Sequence, residues 1–181
     1  MALVFENPWT LGADTLAVSE QSAVKAAALE TLRRAFAGFD VRFAEANAGD
    51  RLIRVEDTPY ASTPQFRAPG AAGLTYPAST VSSVRIDVLF FAELSAAGCR
   101  EMSGCTKSRA ELLEGLGRGV GATAAHELGH QAGVRFVRDI PCDDCYDGDR
   151  STSYAHFFGT KRWSPEAAAI MTRLLPAAPN R

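Results

Sequence analysis

From Ser22 onward apolar residues recur at helical spacing. Val24, Ala28, Leu32 and Ala35/Phe36 share one face, while Lys25, Glu30, Arg33 and Arg34 take the others. This predicts a helix ended by Gly38. Before it, residues 1–20 are mixed and broken by Pro8 and Gly12. After it, residues 41–45 alternate like a strand, 47–50 read as a turn and 52–55 as a second strand. Residues 57–80 hold Pro59, Pro64, Pro69 and Pro77 with Tyr60, Phe66 and Tyr76 between them. A loop this long in a compact domain is usually functional or disordered. Val84, Ile86, Val88 and Phe90 then alternate with Arg85, Asp87 and Leu89, which predicts a strand. Ser108-Arg-Ala-Glu111 is a capping box that opens a long helix with Leu112, Leu116 and Val120 on its buried stripe. Gly115, Gly117, Gly119 and Gly121 fall inside it, each costing about 1 kcal/mol against Ala. They either let the helix pack closely or break it in two. A phosphate-loop reading of this run is weak, because no strand precedes it. The helix stops at Gly133, and 137–162 are irregular and polar. Ser164-Pro165-Glu166 then caps a closing helix with Ile170, Met171, Leu174 and Leu175 on one face.

With no repeat or linker visible, residues 1–181 read as a single domain of α+β class: a mixed, twisted sheet, a long helix and a short C-terminal helical subdomain. Apolar residues make up 46% and charged residues 22%, which excludes collagen-like, coiled-coil and wholly disordered classes. The net charge of −2 offers no bulk electrostatic case for a nucleic-acid partner. Charge, Pro or Gly interrupts every long apolar stretch, so no membrane span is expected. The N-terminus lacks the basic and apolar regions of a secretory signal, yet a leader replaced by Met leaves location open between cytoplasm and export. Arg outnumbers Lys sixteen to three and alanine is abundant, a compositional hint of a GC-rich bacterial source. A monomer is expected.

The cysteines form two close pairs, Cys99/Cys105 and Cys142/Cys145. Two local disulfides come first, then free thiols, then a structural zinc. The acidic run Asp143, Asp144, Asp147 and Asp149 lacks the EF-hand spacing and reads as a solvated loop.

The strongest chemical signal is His126-Glu127-Leu128-Gly129-His130. Two imidazoles at i and i+4 lie on one helix face, one turn apart, which suits two nitrogen ligands on one Zn2+. Glu127 stands beside them, placed to act as general base toward a metal-activated water. A bare HExxH also occurs by chance. Here a capped helix surrounds it, and it holds two of the chain's three histidines. A catalytic zinc site needs a third protein ligand. His156, the remaining histidine, is the first candidate, Asp139 the second, and Asp143, Asp144 and Asp147 follow. The bland alternative for His156 is a core histidine donating to a backbone carbonyl. Tyr146 and Tyr154 are candidate oxyanion stabilisers, with Tyr154 taken as the catalytic one. For either, the bland alternative is a packed Tyr with its hydroxyl at the surface.

His126-Glu-Leu-Gly-His-Gln-Ala-Gly133 resembles the start of the metzincin signature HExxHxxGxxH/D, within the zincin metallopeptidases. The likeness is specific over about eight residues and architectural elsewhere. It implies a zincin-like fold and a zinc-dependent endopeptidase that hydrolyses peptide bonds in a peptide or protein substrate. That substrate would lie along an edge strand, here residues 80–91. The signature's third ligand falls at Phe136, which cannot bind zinc; a three-residue insertion would move it to Asp139. The metzincin methionine turn would fall at residues 142–148, with Tyr146 in place of Met. Met171 lies too deep in the last helix for that turn and reads as core. The alternative function is a non-catalytic binding domain on a zincin scaffold.

Overall fold

The computed structural model describes residues 1–5, 9–11, 14–43, 50–56, 71–75, 78–134 and 139–178. In chain order the elements are β1 (Ala2–Phe5), β2 (Thr10–Leu11), β3 (Asp14–Thr15), α1 (Val18–Ala35), β4 (Leu52–Glu56), β5 (Gly73–Thr75), β6 (Val81–Arg85), α2 (Ile86–Ala96), α3 (Arg109–Gln131), α4 (Tyr154–Phe158) and α5 (Pro165–Leu174). The class is mixed α+β. The main sheet runs β1-β4-β6-β5, parallel between β1, β4 and β6, and antiparallel between β6 and β5. A second pairing joins β2 and β3 antiparallel.

Ser108 caps α3 as expected, accepting from the Glu111 amide, while the Glu111 carboxylate accepts from the Ser108 amide at 2.8 Å. The glycines do not break this helix; they let neighbours approach it. A Cβ on Gly117 or Gly121 would meet the backbone carbonyl of Val24 or Ala28, so α1 lies almost backbone to backbone against α3. On another face, Gly115 and Gly119 make room for Phe158 and Phe157. Val24, Ala28 and Leu32 of α1 and Leu112, Leu116 and Val120 of α3 are fully buried in one core, which continues into Ile53, Val55 and Val84 of the sheet.

The strand expected across residues 84–90 ends at Arg85, and α2 follows. The buried positions Ile86, Leu89, Phe90, Glu93 and Leu94 repeat at i, i+3, i+4, i+7 and i+8. Arg85 and Asp87, set between Val84, Ile86 and Val88, disguised helical spacing as alternation. β6 is flanked by β4 and β5, so the expected edge strand at residues 80–91 is an interior strand followed by a helix; among the described residues β5 and β1 form the two edges. The strand expected at 41–45 does not form over 41–43, and 44–49 lie outside the described residues. The first helix begins at Val18 rather than Ser22.

The closing helix starts at its expected cap. Ser164 Oγ accepts from the Ala167 amide, and Met171 is fully buried. The cysteines form two disulfides, Cys99–Cys105 and Cys142–Cys145. Among the described residues no helix is long and apolar enough to cross a membrane.

Candidate metal centre

His126, Glu127 and His130 lie on the last two turns of α3. Gly133 ends the helix with a left-handed φ of 92°, and the Val134 amide turns back to the Gly129 carbonyl at 2.8 Å. The same turn brings the Val134 carbonyl to His130 Nδ1 at 2.8 Å. On the other side the Tyr146 carbonyl lies 2.8 Å from His126 Nδ1. A carbonyl can only accept, so both Nδ1 atoms carry the proton and both Nε2 atoms present a lone pair.

Those two Nε2 atoms face each other at 2.9 Å. Two opposed lone pairs repel unless a cation sits with them. Burial, and then the neighbouring His130, hold the His126 pKa below its ordinary value. Asp139 Oδ1 completes a triangle, 3.6 Å from His126 Nε2 and 3.7 Å from His130 Nε2. A circle through points so spaced has a radius of about 2.0 Å, close to the roughly 2.0–2.2 Å of zinc–nitrogen and zinc–oxygen bonds. The three residues therefore fit a divalent transition metal. Two imidazoles and one carboxylate suit zinc, and the same donor set can hold iron(II). Cys142, Asp144 and Cys145 also lie together, but their sulfurs are joined to each other and present no thiolate.

Asp139 is held in place by the segment that follows it. Ile140 and Gly148 form a bridge, and the Tyr146 amide bonds the Arg162 carbonyl at 2.8 Å. Asp147 accepts from the amide and hydroxyl of Ser164 at 2.9 and 2.5 Å, tying the segment to the start of α5. The acidic run is thus occupied by protein partners, since Asp143 also pairs with Arg150 and Asp144 with Arg162.

Glu127 is buried, and its carboxyl opens on a cavity of about 340 Å³ that His126 and Asp139 also line. Thr75 Oγ1 donates to Glu127 Oε2 at 2.6 Å. Burial pushes the Glu127 pKa up to about 8, with Thr75 opposing and Asp139 reinforcing the shift. Behind it Ser82 Oγ bonds Thr75 Oγ1, and Gln131 Nε2 donates to Ser82 Oγ at 2.7 Å. Gly73 is required here, since a Cβ at this position would run into Glu127 Oε1. Sequence reasoning missed Thr75, Ser82 and Gln131. Gln131 was within reach, standing four residues after Glu127 on the same helix face.

The structure does not bring His156 to the metal group. It is buried in α4, with Nε2 3.0 Å from both the Gly119 carbonyl and Thr123 Oγ1, and Nδ1 3.2 Å from Lys161 Nζ. Asp139 takes the place expected of His156, and His156 is a core histidine bonded to a backbone carbonyl. Tyr154 is also apart: it is exposed, packs its ring on Phe158 at 5.0 Å and does not line the cavity. Tyr146 does line it, but its buried ring lies against Trp163 and its backbone carbonyl serves His126. Phe136, the position of the signature's third ligand, lies outside the described residues. The chain matches no family model, and no curated protein or solved structure is similar enough to it to count as a match.

Proposed function

We propose that this protein is a zinc-dependent endopeptidase with a zincin-like active site, in which His126, His130 and Asp139 hold the metal. The observation that carries the reading is the pair of Nε2 lone pairs 2.9 Å apart, with Asp139 Oδ1 beside both and the Glu127 carboxyl in the same cavity. Glu127 is adjacent to a ligand yet outside the donor triangle, which is what a general base needs. That position favours zinc hydrolysis over the iron(II) use of the same donors. When bound, zinc supplies a Lewis acid for the scissile carbonyl and lowers the pKa of nearby acids, water and Glu127 included.

Glu127 takes the proton of the attacking water and delivers it to the leaving amine. The Thr75 hydroxyl fixes the rotamer of that carboxylate, and Ser82 and Gln131 fix Thr75. Among the described residues β5 pairs with β6 on one side only, and its other edge would take an extended peptide as an added strand. Such a peptide would run past Gly73, the point of closest approach to Glu127. The test is zinc content together with cleavage of a denatured protein, compared between the wild type and Glu127→Gln.

A further inference from the structure

Lys161 follows the short helix α4 and lines the cavity that Glu127, His126 and Asp139 also line. It is half-buried, and among the described cavity-lining residues it is the one Lys or Arg. Its ammonium donates to His156 Nδ1 at 3.2 Å. That contact is fixed from behind. His156 Nε2 lies 3.0 Å from the Gly119 carbonyl, so it carries the ring proton, and Nδ1 is left as an acceptor. Burial and the Lys161 charge both hold the His156 pKa well below its ordinary value, so the ring stays neutral beside the ammonium.

No carboxylate among the described residues lies within 4.0 Å of Lys161 Nζ. The acidic groups that act on it from a distance, Asp144, Asp143 and Asp147, are turned toward Arg162, Arg150 and Ser164. Asp149, on the cavity wall, lies 3.9 Å from Arg150. An ammonium taken partly out of water, touched by no carboxylate among the described residues and facing a cavity, can receive an anion. Its lowered pKa, about 8, still leaves it mostly charged at neutral pH. Glu127 and Asp139 cannot fill the role of counter-ion, since one is held by Thr75 and the other sits with the two imidazoles.

We propose that Lys161 is a specificity-determining residue that docks a carboxylate of the substrate, with His156 as the positioning residue that holds the lysine in the cavity. The inference rests on the cavity being a peptide-binding site. The carboxylate belongs to either an acidic side chain or a free C-terminus. Both present the same two oxygens to the ammonium, and the experiment separates them.

Three peptides are titrated calorimetrically into zinc-treated Glu127→Gln protein. One is an alanine pentapeptide with a central Glu, capped at both ends. The second carries Gln instead, and the third is the Gln peptide with a free C-terminal carboxylate. A charged hydrogen bond of this kind makes a carboxylate-bearing peptide bind roughly 10–100-fold tighter than the capped Gln peptide. Preference for the first peptide assigns a side-chain carboxylate, and preference for the third a C-terminal one. Adding Lys161→Met removes the preference, and Lys161→Arg restores most of it. Equal binding of all three peptides, binding of none, or a preference that survives Lys161→Met overturns the inference. Cleavage of a denatured protein by the wild type is read separately. A Lys161-dependent preference without cleavage keeps the inference and overturns the peptidase reading; cleavage without preference does the reverse.

Discussion

Glu93 of α2 is fully buried against Gly115 and Phe158, and among the described residues neither carboxyl oxygen is in a well-formed hydrogen bond. Burial pushes its pKa from 4.5 up to about 9, against smaller pulls from the Leu116 amide and the Lys107 ammonium. In the unfolded chain Glu93 releases its proton near 4.5. Between these values the folded state therefore binds more protons than the unfolded state, and stability falls as pH rises. The slope is about 1.4 kcal/mol per pH unit, so the contribution is complete below about pH 4.5 and gone by about pH 9. Glu93→Gln removes the titration while keeping the shape. Its amide hydrogens lack partners, which costs roughly 1–3 kcal/mol at every pH. At pH 5 the wild type is thus the more stable protein. From pH 5 to 8 its advantage shrinks by about 4 kcal/mol and changes sign between about pH 5 and pH 7. Urea unfolding of both proteins at pH 5, 6, 7 and 8 measures this directly. Glu127, His126 and His156 titrate alike in both, so their effects cancel in the difference. A difference that stays flat across the four pH values would show that Glu93 ionises in the fold, and the reasoning about its burial would be wrong.

Asp139→Ala lowers zinc affinity by more than about 100-fold, beyond what loss of an outer-shell partner does, whereas His156→Gln keeps zinc near one per chain. Zinc titration against a competing chelator checks both, and the opposite pattern would return the third ligand to His156. Gly117→Ala places a Cβ 2.5 Å from the Val24 carbonyl and 2.6 Å from Ala27 Cβ. Overpacking costs about 1–3 kcal/mol while helix propensity returns about 1, so stability drops by up to about 2 kcal/mol. A urea midpoint above that of the wild type would contradict the close α1–α3 packing.

Local chemistry was the legible part of this chain. The Ser108 and Ser164 caps, the Gly133 stop and the buried stripes of α1 and α3 all act within a few residues, so periodicity and capping rules reach them. The imidazole pair was legible because helical spacing alone puts His126 and His130 on one face. The third member was legible only as a second choice, with Asp139 placed behind His156. Asp139 reaches the pair through segment 139–149, whose bridges and Asp147–Ser164 bonds no local rule anticipates. His156 drew attention by residue type, while its burial beside Gly119 and Thr123 is a matter of tertiary packing. α2 was misread because Arg85 and Asp87 between Val84, Ile86 and Val88 mimic strand alternation, while the buried Ile86, Leu89 and Phe90 follow helical spacing. β5 was hidden because Gly73 and Thr75 lie against Glu127 across about fifty residues of chain, beyond the reach of local rules.

In the proposed mechanism His126, His130 and Asp139 hold a zinc ion, and Glu127 handles the proton of the attacking water. The most direct measurement is paired: metal content by plasma emission, and cleavage of a denatured protein substrate, for the wild type and Glu127→Gln prepared side by side. Both proteins are expected to hold about one zinc, and not iron, per chain. Cleavage is expected to fall by about 10²–10⁴-fold in the variant. A wild type that binds no zinc, or equal cleavage by both proteins, would contradict this mechanism. Zinc bound in both with cleavage by neither would make this scaffold a non-catalytic binding domain.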